Sequence, residues 1–106
     1  KSVPEGDGTM FDNTMIFYFP DGGETHHSHG WEYPFIILSG DNARVDLRRR
    51  YIRLPNYGQP GHSTLGNFYT TLLNAHGNPM EHYGDLDLEM ARKKLDQMGS
   101  IKQFMT

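Results

Sequence analysis

The chain has no cysteine among its 106 residues. Disulfides, thiolate zinc ribbons, iron-sulfur clusters and thiol catalysis are therefore excluded, and any metal must be held by His, Asp or Glu. An excess of positive charge is also lacking: ten Lys and Arg stand against thirteen Asp and Glu, a formal charge of -3. This is the wrong sign for a general nucleic-acid binder. Long hydrophobic runs are missing too, the longest being about four to five residues against the ~20 that span a bilayer. No charged-then-apolar leader opens the sequence. The first residue is Lys1 rather than Met, so a segment is expected upstream. The expected partner is that missing upstream portion of a parent chain, or a second copy.

What is present argues for folding. Hydrophobic residues make up 36% of the chain and include six Phe, six Tyr and one Trp, unlike the aromatic-poor composition of disordered segments. The length suits one domain, or part of one, and not two. Residues 1–12, with Pro4, Gly6, Asp7 and Gly8, read as a linker, residues 13–99 as an α/β core and residues 100–106 as a tail that trails or docks through Ile101 and Phe104.

Met15-Ile16-Phe17-Tyr18-Phe19 and Phe35-Ile36-Ile37-Leu38 are continuous runs of strand formers, the pattern of strands buried on both faces. Pro20-Asp21-Gly22-Gly23 stops the first run, and Pro34 and Gly40 bound the second. Tyr51-Ile52-Arg53-Leu54 alternates like a half-buried strand. From Ser63 the period changes. Leu65, Phe68, Tyr69, Leu72, Leu73 and His76 follow helical spacing, with Ser63 or Thr64 as N-cap and Gly77 as C-cap. Phe68, Leu72 and Leu73 are expected to pack on the sheet. Leu88, Ala91, Leu95 and Met98 form a second helical stripe, capped by Asp85 or Asp87 and stopped by Gly99.

Four polar positions fall at strand ends or a helix start and are the candidate metal ligands: Asp21, His27, His29 and His62. Asp21 follows directly on a strand, where open α/β sheets bind ligands. His27 and His29 are two residues apart, so an extended segment points both imidazoles to one side, as two ligands of one metal require. His62 precedes the first helix, near a dipole end that favours an anion. Each has a plainer reading. His26, His27 and His29 can be a solvated loop covered by Trp31 and Tyr33. His76 suits the negative end of a helix, and Asp85 and Asp87 suit caps. Arg44, Arg48, Arg49, Arg50 and Arg53 alternate with Val45, Leu47 and Ile52 as the solvated face of a strand or hairpin.

Two stretches carry a resemblance to a known family. One is Phe11-Asp12-Asn13-Thr14 through Phe19, continued after the His loop by Tyr33-Pro34-Phe35-Ile36-Ile37-Leu38-Ser39-Gly40. The other runs from Gly61-His62 through Asn67-Phe68-Tyr69-Thr70-Thr71-Leu72-Leu73-Asn74-Ala75-His76-Gly77-Asn78-Pro79 to Tyr83-Gly84-Asp85. Together they resemble the C-terminal part of the uncharacterised bacterial domain-of-unknown-function family 1552, of the alkaline phosphatase and sulfatase-like superfamily. The resemblance implies the C-terminal portion of an α/β/α sandwich, with a few core strands and two helices.

It further implies an exported, periplasmic setting and a divalent metal such as zinc, manganese or calcium, with no organic cofactor indicated. The parent would hydrolyse phosphate or sulfate esters with a nucleophile from an early strand that is not part of this sequence. In that superfamily the strand matching Met15 to Phe19 ends in Asp-His-Gly. Here the residues are Asp21-Gly22-Gly23, so Asp21 keeps a ligand position, His27 or His29 would replace the lost His, and His62 matches the final metal-binding His. A competing reading is a cupin-like small β-barrel using His27, His29, Glu32 and His62. A third is a structural or interaction fragment with an inert His loop.

Overall fold

The computed structural model describes residues 3–20 and 33–105. The chain is mixed α/β: the described residues form four short strands in two separate antiparallel ribbons, followed by two helices. It packs as two compact units. The first holds the described residues up to Ala43 together with Leu47–Arg50, and the second holds Arg44–Asp46 and the residues from Tyr51 onward.

In the first unit the stretch read as a linker is folded. Strands β1 (Pro4–Glu5) and β2 (Gly8–Thr9) pair around a turn in which Gly6 has φ +57°. A 3-10 turn follows at Met10–Asn13, held where Asp12 accepts from the backbone N–H of Thr9 at 2.7 Å and from its hydroxyl at 3.0 Å. Short polar side chains thus replace a hydrophobic core as the local constraint. Strands β3 (Met15–Tyr18) and β4 (Ile36–Ser39) form the main ribbon, antiparallel, with Ile16 opposite Leu38 and Tyr18 opposite Ile36. Gly40, just beyond β4, lies so close to the backbone of Phe11 and Asp12 that no Cβ would fit. The apolar runs are not buried on both faces as expected: Met15, Phe17 and Ile37 are half-buried, whereas Ile16, Tyr18, Ile36 and Leu38 are exposed. Among the described residues each of these strands pairs with only one neighbour, and no helix of the unit covers the second face.

The second unit is organised by α1 (Leu65–Ala75). Thr64 is its N-cap: Thr64 Oγ1 accepts from the backbone N–H of Asn67 at 3.2 Å, and Asn67 Oδ1 accepts from the backbone N–H of Thr64 at 2.9 Å. This reciprocal pair satisfies two donors that a helix start leaves open. At the other end Gly77 adopts φ +88°, and the N–H of Asn78 reaches back to the carbonyl of Leu73. A left-handed residue after the last turn is what makes that closure.

The buried face of α1 differs from the expected one. Asn67, Phe68, Thr70 and Thr71 are buried, while Leu72 and Leu73 are only half-buried. The physical reason is that α1 packs against irregular backbone, whose polar groups need partners. Thr70 Oγ1 accepts from Tyr83 N–H, Thr71 Oγ1 accepts from Ile101 N–H, and Asn67 Nδ2 donates to the carbonyls of Gln97 and Gly99. Val45, Phe68, Met90 and Ile101 supply the buried apolar side chains of this unit, and Phe104 meets Phe68 edge-on at 6.2 Å.

The second helix is shorter than its apolar stripe. The helical path ends after α2 (Leu88–Arg92), because Lys94 turns left-handed at φ +56° and Leu95 N–H bonds to the Met90 carbonyl. Leu95 and Met98 therefore lie outside the helix. Asp87, not Asp85, is the cap, accepting from Met90 N–H at 2.8 Å. Residues 51–54 keep an alternating exposure but pair with no strand. The arginine segment forms no hairpin: Val45 and Leu47 are buried, the arginines are exposed, and Arg48 pairs with Asp41. Two unconnected ribbons and a helix at 65–75 also rule out a closed cupin-like barrel among the described residues.

Candidate functional site

Of the four expected ligands, Asp21, His27 and His29 lie outside the described residues, and His62 is described. It closes a tight loop that starts at Pro55. Gln59 N–H bonds to the Asn56 carbonyl and His62 N–H to the Gln59 carbonyl, while Gly58 and Gly61 take φ of +77° and +84°. Positive φ at two positions explains why this Pro- and Gly-rich segment turns instead of extending. The loop returns the His62 ring to its own beginning: Nδ1 lies 2.7 Å from the Pro55 carbonyl oxygen.

A carbonyl only accepts, so Nδ1 carries the proton in that bond. In the neutral ring Nε2 then keeps its lone pair. Metal-binding histidines commonly have this arrangement, one nitrogen tied to a carbonyl and the other presented to the ion. The geometry of His62 therefore fits a metal ligand through Nε2. Among the described residues no group of three His, Asp or Glu side chains forms around a common point. Within that part of the chain His62 belongs to no such group.

The ring is held from the side by Tyr57, edge-on at 5.6 Å and 88°. Tyr57 in turn donates its phenol hydrogen between the two Asp87 oxygens, at 2.9 and 3.0 Å. The hydrogen bond to the Asp87 carboxylate, followed by burial and the carboxylate's charge, raises the Tyr57 pKa above 10.0. The phenol stays protonated and donating in neutral solution. Asp87 is anchored by α2, which it caps, and by Gln97, whose side chain accepts from Asp87 N–H and donates to Asp87 carbonyl at 2.8 and 2.9 Å. The buried Gln97 carbonyl closes the chain of bonds on Asn67 at 2.8 Å. A continuous set of contacts therefore runs from the start of α1 through Gln97, Asp87 and Tyr57 to His62.

Sequence reading missed Tyr57 and Gln97 as supports of His62. The Tyr57–Asp87 and Asn67–Gln97 contacts each join residues 30 positions apart, and no local pattern marks such a pairing. The other described histidines, His76 and His82, make local contacts. His76 is the C-cap of α1, with Nδ1 at 2.8 Å from the Leu72 carbonyl. His82 bonds through Nδ1 to the Gly84 carbonyl at 3.1 Å and lies over Gly66, where a Cβ would come within 2.6 Å of its Nε2.

Compared with protein-family models, with curated proteins and with solved structures, the chain matches none. Among the described residues no helix is long and apolar enough to cross a membrane.

Proposed function

We propose that this chain is the ligand-bearing C-terminal portion of an alkaline-phosphatase or sulfatase-like α/β/α protein and contributes to a divalent-metal site. His62 is one ligand, through Nε2; Asp21 with His27 or His29, the others expected from the sequence, lie outside the described residues. The observation that carries this reading is the 2.7 Å bond from His62 Nδ1 to Pro55, which leaves the other nitrogen as the free electron pair. The metal would supply Lewis acidity and charge neutralisation toward a phosphate or sulfate ester oxygen. The chain's own residues hold and orient: Pro55 fixes the tautomer, Tyr57 limits ring rotation, and Asp87 keeps the phenol in place. On this reading the segment is a ligand carrier and not a hydrolase by itself.

The test is calorimetric titration with zinc and with manganese on the full chain and on His27→Ala, His29→Ala and His62→Ala. One-to-one binding that is weakened at least about tenfold in the His62 variant and in a His27 or His29 variant is expected, because two distant segments then share one ion. Binding that survives His62→Ala would remove His62 from the site. No binding at all by the full chain would favour an inert His loop.

A further inference from the structure

The β3–β4 ribbon carries a feature that the metal reading does not use. Antiparallel sheets with one solvent face normally place polar residues there. Here the outward positions are Ile16, Tyr18, Ile36 and Leu38, exposed by 47, 72, 61 and 52%. The register sets Ile16 against Leu38 and Tyr18 against Ile36. These are two adjacent cross-strand pairs on one side of the sheet, so the four side chains form a continuous patch. The opposite face, with Met15, Phe17, Ile37 and Ser39, is half-buried to buried. The bare face is thus a property of one side and not of a ribbon that is loose throughout.

We propose that this face is a self-association surface, on which two copies of the chain stack ribbon against ribbon in a reversible dimer. Area is the first reason. The exposed parts of the four side chains offer roughly 450 Å² per copy, and a pair would bury roughly 900 Å². That is below the ~1,600 Å² of standard stable complexes and in the range of weak, reversible ones, so it selects a concentration-dependent dimer over a permanent one. Charge is the second. A two-fold contact brings a surface against itself, so any Lys or Glu on it would oppose its own copy. The patch has no charge, and its one polar atom, the Tyr18 hydroxyl, is both donor and acceptor and can pair with its counterpart.

The shape of the ribbon agrees. An antiparallel pair has a local two-fold axis normal to its face, and the side chains related by it are all large and apolar. Stacked sheets with interdigitating inner faces are a standard way to cover such a surface. Pro20 and Pro34, which adjoin the ribbon on the sides of Tyr18 and Ile36, cannot donate to a ladder and so resist strand-to-strand extension there. Face stacking, not edge pairing, is the contact inferred.

The experiment is sedimentation velocity on the full chain from about 10 μM to about 1 mM, a range that spans weak dissociation constants. The wild type should pass from monomer to dimer across that range. Ile36→Lys and Tyr18→Lys should each weaken dimerisation at least about tenfold, because they place like charges in a closed two-fold contact. Tyr51→Lys should leave it unchanged, since Tyr51 is 92% exposed and lies outside the ribbon. Far-UV circular dichroism checks that each variant keeps its fold. If the Lys variants unfold, Ile36→Thr, which keeps β-branching, should still weaken the dimer. A wild type that stays monomeric, a dimer indifferent to the folded ribbon variants, or equal loss on Tyr51→Lys would each overturn the proposal.

Discussion

The Pro55 carbonyl decides which nitrogen of His62 is left to act, and Tyr57 decides how far the ring can turn. Such control depends on single hydrogen bonds and is therefore open to pH. Tyr57 in the folded chain loses its proton at a higher pH than in the unfolded chain, because deprotonation would set a phenolate against the Asp87 carboxylate. A raised folded-state pKa gives stability that is complete below the unfolded value of about 10 and is lost as pH climbs through the folded value. Urea midpoints should thus fall above about pH 10 in the wild type, and the Tyr57→Phe variant should lose that part of the alkaline dependence. Equal alkaline slopes in both proteins would show that other groups govern this range.

Elements of the second unit are held by side chains that a sequence scan assigns to water. Asn67, Thr70, Thr71 and Asn74 recur at helical spacing along α1, as Leu65, Phe68, Tyr69 and Leu72 do. Periodicity therefore marked α1 and its caps, but it marked the apolar stripe as the packing face. The polar stripe is buried in addition because the segments returning at 80–83 and 97–101 have no ladder of their own, and α1 satisfies their N–H and carbonyl groups. Thr71→Val keeps the volume, leaves the buried Ile101 N–H without its acceptor, and should cost about 1–3 kcal/mol in urea unfolding. A change below the error of that measurement would mean that Ile101 finds another partner.

The end of α2 illustrates the opposite limit. Leu88, Ala91, Leu95 and Met98 have helical spacing, yet the chain leaves the helix at Lys94 in a left-handed conformation that Gly adopts without strain. Nothing in a run of Arg-Lys-Lys-Leu announces that stop. Lys94→Gly should stabilise the chain by about 0.5–1 kcal/mol, the relief of strain exceeding the added freedom of the unfolded chain. Thermal unfolding measures it, and a lowered midpoint would mean that the Lys94 side chain contributes more than its backbone costs.

For the whole molecule, the proposed role as a carrier of ligands predicts no ester hydrolysis by the chain alone. Zinc- or manganese-loaded chain should therefore turn over neither an aryl phosphate nor an aryl sulfate above the rate of metal in buffer, as followed by release of the coloured phenol. Turnover that disappears in His62→Ala would refute this and would make the chain an enzyme in its own right.

Composition alone restricted metal chemistry to His, Asp and Glu, and local pattern located the apolar runs of β3 and β4 and the start and stop of α1. Those are short-range matters, settled by residue type, turn chemistry and capping within a few positions. Tertiary structure decided the rest. Which side of β3–β4 is left bare depends on what packs against the ribbon; the supports of His62 come from residues 30 apart; and α1 buries Thr and Asn because distant backbone needs partners there. The physical reason is the same throughout: a local pattern records what each residue prefers, whereas burial and hydrogen-bond partners are properties of pairs brought together only by the folded chain.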